Sequence, residues 1–218
     1  MAEAPSRLNL PNVITVLRIV ACPAIYVLAL AGGITNGLLA FALFVAASLS
    51  DLWDGYLARK HGLITDVGKL LDPLADKLLV VSTFIPFYII SHRGPEWELP
   101  WWGALPLWVL VVVFGRELFM TVFRSYAARR GVVIAAGQSG KYKAFIQNLF
   151  SGGALLWYPV MALGADRLWA GPVWGAWKVF HGAWIGIMLA VALVLTISSL
   201  IDYLRGYWTL TPGAESTG

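Results

Sequence analysis

Apolar positions along this chain gather into long runs, and polar positions into the short links between them. Six runs approach the roughly 20 mostly apolar residues that a helix needs to cross a bilayer. They cover residues 11–31, 35–59, 67–91, 104–128, 141–164 and 178–207. Gly32-Gly33, residues 91–100, Gly131 and residues 164–175 punctuate them, as turn residues do between elements. No internal repeat or low-complexity tract interrupts the pattern. It predicts an all-α integral membrane protein of six transmembrane helices, forming one domain over residues 1–218.

Composition strengthens that reading. Hydrophobic residues make up 59% of the chain and charged residues 13%, against about 25% charged in an ordinary soluble domain. The formal charge of +4 is scattered between apolar runs with no stripe or tail, so a nucleic-acid partner is not expected. Cys22 is the one cysteine, which excludes an intrachain disulfide and a thiolate metal site. The first run contains Arg18 and lacks a small-residue cleavage site, so it reads as a retained helix.

Orientation follows from the basic residues. With both termini cytoplasmic, 13 of the 16 Lys and Arg residues fall on the inner side, leaving Arg93, Arg167 and Lys178 outside. Trp97, Trp101, Trp102, Trp169, Trp174 and Trp177 crowd the outer connections, where interfacial aromatics concentrate. The alternative for them is packing within the bundle.

Ionisable groups inside spanning helices are costly and usually functional. Asp51 and Asp54 lie near the end of the second run, Asp72 and Asp76 near the start of the third. At about 100° per residue, Asp54 sits about 60° from Asp51, and Gly55 and Ala58 share that face. Gly68, Asp72 and Asp76 step by four residues along another face. The short polar link containing Gly62 makes the two helices antiparallel neighbours, so the two carboxylate faces meet. Four carboxylates this close cannot all stay ionised without cations. Oxygen-rich sites of this kind suit magnesium or manganese, and two such ions form a clamp for displacement at phosphorus. Gly55, Ala58 and Gly68 leave room for a phosphate ligand, and Arg59 is placed to pair with its oxygens. The bland alternative is a set of helix-capping or lysine-paired carboxylates. Asp66, just outside the set, is placed to cap the third helix.

From Asp51 to Asp76 the chain reads DLWDGYLARKHGLITDVGKLLDPLAD. It resembles the CDP-alcohol phosphatidyltransferase signature D-x2-D-G-x2-A-R-x8-G-x3-D-x3-D, with all eight fixed positions filled. LNLPNVITVLR near the start, GRELFMTVFR from Gly115 and GKYKAFIQ from Gly140 are similar to the branch that makes phosphatidylglycerophosphate. Ala144 departs from the threonine expected there, and ISSLIDYL near the end is a weaker likeness. The resemblance implies a six-helix CDP-alcohol phosphotransferase fold, commonly a homodimer, in the bacterial inner membrane with its active site facing the cytoplasm. It implies that Asp51, Asp54, Asp72 and Asp76 hold two divalent cations (Mg²⁺ or Mn²⁺), that Asp76 also serves as general base, and that Gly55, Ala58 and Arg59 contact the CDP portion. Its substrates would be CDP-diacylglycerol, reached from membrane lipid, and glycerol 3-phosphate. Other acceptors for the same chemistry are inositol phosphate, serine and phosphatidylglycerol.

A dianionic acceptor needs an anchor. Arg116, Arg124, Lys141 and Lys143 lie at the cytoplasmic ends of the fourth and fifth runs and could form one, although topology and anionic headgroups also favour basic residues there. Asn12, Thr15 and Arg18 at the cytoplasmic end of the first run are candidates to line the nucleotide site, against capping and snorkelling. Glu117 is placed to orient Arg116. A divalent-cation transporter is the rival from another class. It predicts carboxylates near the midplane, whereas Asp54 stands only five residues from Arg59. A non-catalytic lipid-binding scaffold is a further rival.

Overall fold

A computed structural model describes residues 10–61, 65–130 and 138–210. The side chains of residues 52, 54–59, 61, 66, 69, 138–139 and 208–210 fall outside that description. Six long helices follow one another: α1 Leu10–Ala31, α2 Ile34–His61, α3 Asp66–Ser91, α4 Leu107–Arg129, α5 Gln138–Asp166 and α6 Pro172–Leu210. A single 3-10 turn, Pro95–Trp97, interrupts the link between α3 and α4. No strand occurs among the described residues.

Most ends fall within three residues of the apolar runs. The exception is α6, which starts at Pro172 rather than near residue 178. Proline is well suited to a first helical position because its missing N–H has no partner to lose there, so the turn residues of 164–175 end before Pro172. Pro73 lies inside α3, beyond the first turn. Thr65, not Asp66, caps that helix: its side chain accepts from the Gly68 N–H at 3.1 Å.

Four helices or parts of them are long and apolar enough to cross a membrane: Leu10–Ala31, Ile34–Asp51, Leu70–Ser91 and Pro172–Tyr207. The chain is thus a multi-pass membrane protein. α4 falls short of that measure because it carries Arg116, Glu117 and Arg124 along its length, and α5 because Gln147, Asn148, Gly152, Gly153 and Pro159 dilute its apolar stretch. Large apolar side chains stand exposed on several helices, including Val13, Leu17 and Val20 on α1 and Val111, Leu118 and Val122 on α4. Contiguous exposed apolar surface of this kind is rare in water and ordinary in lipid.

The interior is assembled by α1 packing on α2 and α3, α5 on α2 and α6, and α4 on α6. Phe84, Phe87 and Phe150 interlock at its centre, with ring centroids 5.2 Å apart for Phe84–Phe150 and 5.7 Å for Phe87–Phe150. α2 and α5 approach closely at Gly37, where a side-chain carbon would stand 2.8 Å from Pro159 Cβ. Small residues permit such approaches between spanning helices. The tryptophans of the outer connections differ in their surroundings. Trp101 and Trp169 are exposed, while Trp157, Trp177 and His181 stack within the bundle.

Gly37→Val will push α2 off Pro159 and lower the thermal midpoint in detergent by several degrees, an overpacking cost of about 1–3 kcal/mol. Gly175→Ala, where nothing lies within 4 Å, will leave the midpoint unchanged.

Candidate active site

The polar residues named above come from the N-terminal halves of α1, α3 and α5, the C-terminal half of α2, and the middle and C-terminal half of α4. They collect at one end of the bundle. α1 organises the carboxylates there. Asn12, Thr15 and Arg18 are buried on one face of that helix. Arg18 Nη1 donates to Asp51 Oδ1 of α2 at 2.5 Å and lies 3.8 Å from Asp76 Oδ1 of α3. The Thr15 hydroxyl is 3.0 Å from Asp72 Oδ1. Asn12 Nδ2 donates to the Thr65 hydroxyl at 2.9 Å, locking the cap of α3 to α1.

This differs in one respect from the direct meeting of the second and third helices expected from the sequence. α2 and α3 both take α1 as their main partner, and a buried guanidinium stands between their carboxylates. Gly68 is buried, and a side-chain carbon there would stand 2.8 Å from Asn12 Oδ1. The space the glycine leaves is taken by Asn12. Cys22 is buried in the core, its thiol 3.2 Å from the Arg18 carbonyl oxygen. The side chains of Asp54, Ala58, Arg59 and His61 lie outside the described residues, and the surroundings of Gly55 with them.

The Arg18 side chain is fully covered, yet those of Asp51 and Asp76 are 40% and 63% exposed. Their oxygens are therefore held from behind and open in front. Among the described residues no three His, Cys, Asp or Glu side chains form a ready cage for a metal ion. The donor chemistry of Asp51, Asp72 and Asp76 nevertheless fits hard divalent cations, which take carboxylate oxygens and keep water ligands.

A cavity of about 490 Å³ opens beside Asp51 and Asp76 and is bounded by α3, α4, α5 and α6. Arg116, Arg124, Lys141 and Lys143 all line it, so the four basic candidates are brought together. Acidic groups of α2 and α3 thus face basic groups of α4 and α5 across one space. Glu117 ties the basic side together. It accepts from Arg116 Nη1 at 3.0 Å and contacts the Lys143 ammonium. Arg116 Nη2 donates to the Ser199 hydroxyl of α6 at 3.0 Å, and the Arg124 guanidinium lies 5.5 Å from the centre of the Tyr203 ring.

Sequence reasoning assigned no role to Gln147, Asn148, Ser199, Asp202 or Tyr203, which also line the cavity. The last three fall in the ISSLIDYL stretch, which was the available signal. An apolar groove of about 820 Å³ runs along α2, α5 and α6, past Phe41, Phe44, Phe145, Leu149 and Phe180 to His181 and Trp184. It shares Asp51, Lys141, Ala144 and Asn148 with the cavity.

A family model for CDP-alcohol phosphatidyltransferases matches residues 8–198. This chain belongs to the CDP-alcohol phosphatidyltransferase family. Among curated CDP-alcohol phosphatidyltransferase relatives, a probable phosphatidylglycerophosphate synthase of Mycobacterium tuberculosis is 35% identical over 199 residues, covering 89% of this chain and 79% of the relative. A CDP-diacylglycerol–glycerol-3-phosphate 3-phosphatidyltransferase of Bacillus subtilis is 37% identical over 160 residues, 68% of this chain and 77% of that protein. A cardiolipin synthase (CMP-forming) of Oryza sativa is 32% identical over 214 residues, covering 94% of this chain and 59% of its own length.

Removing one member of a buried ion pair strands the other charge. Glu117→Leu will therefore destabilise the protein by roughly 3 kcal/mol, read as a lowered thermal midpoint. Adding Lys143→Met to it will restore most of the loss.

Proposed function

We propose that this protein transfers the phosphatidyl group of CDP-diacylglycerol to glycerol 3-phosphate, releasing CMP and phosphatidylglycerophosphate. The observation that carries this reading is the single cavity in which Asp76 faces Arg116, Arg124, Lys141 and Lys143. A nucleophile-activating carboxylate and a phosphate-binding wall are what this transfer needs, and the names of the bacterial relatives agree with it. The adjoining groove suits the acyl chains of the lipid donor, because its apolar walls lead directly to Asp51.

In this reading Asp51, Asp54, Asp72 and Asp76 hold two divalent cations, Mg²⁺ or Mn²⁺. Bound there, the cations would neutralise the pyrophosphate and the oxygens around the reacting phosphorus. Arg18 and Thr15 keep three of the carboxylates in place. Asn12 anchors the start of α3, and Gly55, Ala58 and Arg59 receive the CDP portion. The basic wall holds the acceptor phosphate, with Arg116 positioned by Glu117 and Ser199. Asp76 takes the proton of the acceptor hydroxyl. That oxygen bonds to the phosphorus carrying diacylglycerol, and the bond from this phosphorus to the CMP oxygen breaks. The protein works as a homodimer in the bacterial inner membrane, its cavity facing the cytoplasm.

The rice relative favours a second reading in which phosphatidylglycerol is the acceptor and cardiolipin the product. CMP release from CDP-diacylglycerol, measured with glycerol 3-phosphate, phosphatidylglycerol, inositol phosphate or serine, separates them. Turnover with glycerol 3-phosphate alone is the expected result, and turnover only with phosphatidylglycerol selects the second reading. Release with none of them removes the transferase reading.

Chelation of divalent cations will abolish CMP release, and added Mg²⁺ or Mn²⁺ will restore it. Asp76→Asn will lower kcat by at least about a hundredfold, the lower range for losing a general base; full turnover would remove the assigned base. Arg124→Glu and Lys141→Glu will raise the Michaelis constant for glycerol 3-phosphate about tenfold or more. Neither will change that for CDP-diacylglycerol, and the reverse pattern would exclude an acceptor site on this wall.

A further inference from the structure

The cavity contains a polar group that its ion pairs do not use. Gln147 is 2% exposed, and its amide nitrogen has no hydrogen-bond partner among the described residues. A buried amide left unpaired costs free energy comparable to a lost hydrogen bond, and in native proteins such groups call for an explanation. Gln147 stands one helical turn beyond Lys143 on α5 and lines the cavity but not the apolar groove. One turn further along, Ser151 is joined to Thr83 of α3 at 3.2 Å, and Phe150 closes against Phe84 and Phe87. The next polar groups beyond the amide, Ser151 and Thr83, already satisfy one another. With those hydroxyls engaged, the cavity that Gln147 lines is the side from which its amide can take a partner.

The chemistry of that partner follows from the neighbouring groups. The charged part of an anionic acceptor is attracted to Arg116, Arg124, Lys141 and Lys143, which also line the cavity. A neutral amide offers both donor and acceptor atoms and no charge, a match for a hydroxyl. We propose that Gln147 is a specificity-determining residue that hydrogen-bonds the hydroxyl of glycerol 3-phosphate not consumed in the reaction, so that the cavity selects a polyol phosphate over a simple alcohol phosphate. This rests on the reading of the cavity as the glycerol 3-phosphate site. A polar site built around a substrate hydroxyl discriminates against an analogue lacking it, because the protein group is then left unpaired.

The test compares two acceptors with CDP-diacylglycerol on the purified full-length protein. They are glycerol 3-phosphate and 3-hydroxypropyl phosphate, which keeps the reacting hydroxyl and the phosphate but lacks the central hydroxyl. The unaltered protein will favour glycerol 3-phosphate in kcat/KM by about tenfold, the scale of one neutral hydrogen bond. Gln147→Met, similar in length and without the amide, will bring that ratio close to one. It will do so by lowering kcat/KM for glycerol 3-phosphate and sparing the deoxy acceptor. Gln147→Asn, which withdraws the amide by one methylene, will lower the ratio in the same way and serves if the methionine variant does not fold. A ratio unchanged in either folded variant overturns the proposal, as does an equal loss with both acceptors, which would mark a structural or phosphate-binding role. If the unaltered protein uses neither acceptor, the reading of the cavity fails and this inference with it.

Discussion

Everything at the polar end of the bundle depends on a positive charge buried where α1, α2 and α3 come together. A guanidinium removed from water needs compensation, and Arg18 obtains it from Asp51 and Asp76. Those carboxylates would in turn repel one another at the ends of their helices. Each group makes the other's placement tolerable. The arrangement also fixes geometry, since Thr15 and Asn12 on the same face of α1 engage Asp72 and the cap of α3. One short stretch of α1 thus sets the positions of side chains on two other helices.

The opposite wall follows a different logic. Arg116, Glu117 and Lys143 satisfy one another within a partly buried trio, with Ser199 as an outer support. Such a group pins α4, α5 and α6 together at one level, and leaves Arg124 and Lys141 nearer the mouth. α4 and α5, which carry most of this polar load, are the two helices that fall short of the measure met by the other four. The helices least suited by composition to lipid are those that furnish the basic wall.

Much of this was legible from the amino-acid order. Helix positions were, because long apolar runs have few alternatives to a spanning helix. The aspartates were, because charge within such a run stands out. What escaped was whatever depends on contacts between distant segments. Nothing local says that Arg18 will reach both Asp51 and Asp76, which lie 33 and 58 positions away. Nor does it say that Glu117 will meet Lys143 as well as its neighbour Arg116. Glycine was misleading for a similar reason. A missing side chain at Gly68 announces space without naming the occupant, and Asn12 fills it. The early start of α6 was missed because turn-forming residues ahead of a helix and a proline within its first turn look alike in a linear string.

Asp51, Lys141, Ala144 and Asn148 border the cavity on one side and the apolar groove on the other. Four residues of α2 and α5 therefore act as a partition one side chain thick, wet on one face and oily on the other. A molecule of a single character, wholly soluble or wholly greasy, gains from only one face. An amphiphile can lie across the partition with each half in its own solvent, so the wall sorts molecules by their division into two parts before any individual group is recognised.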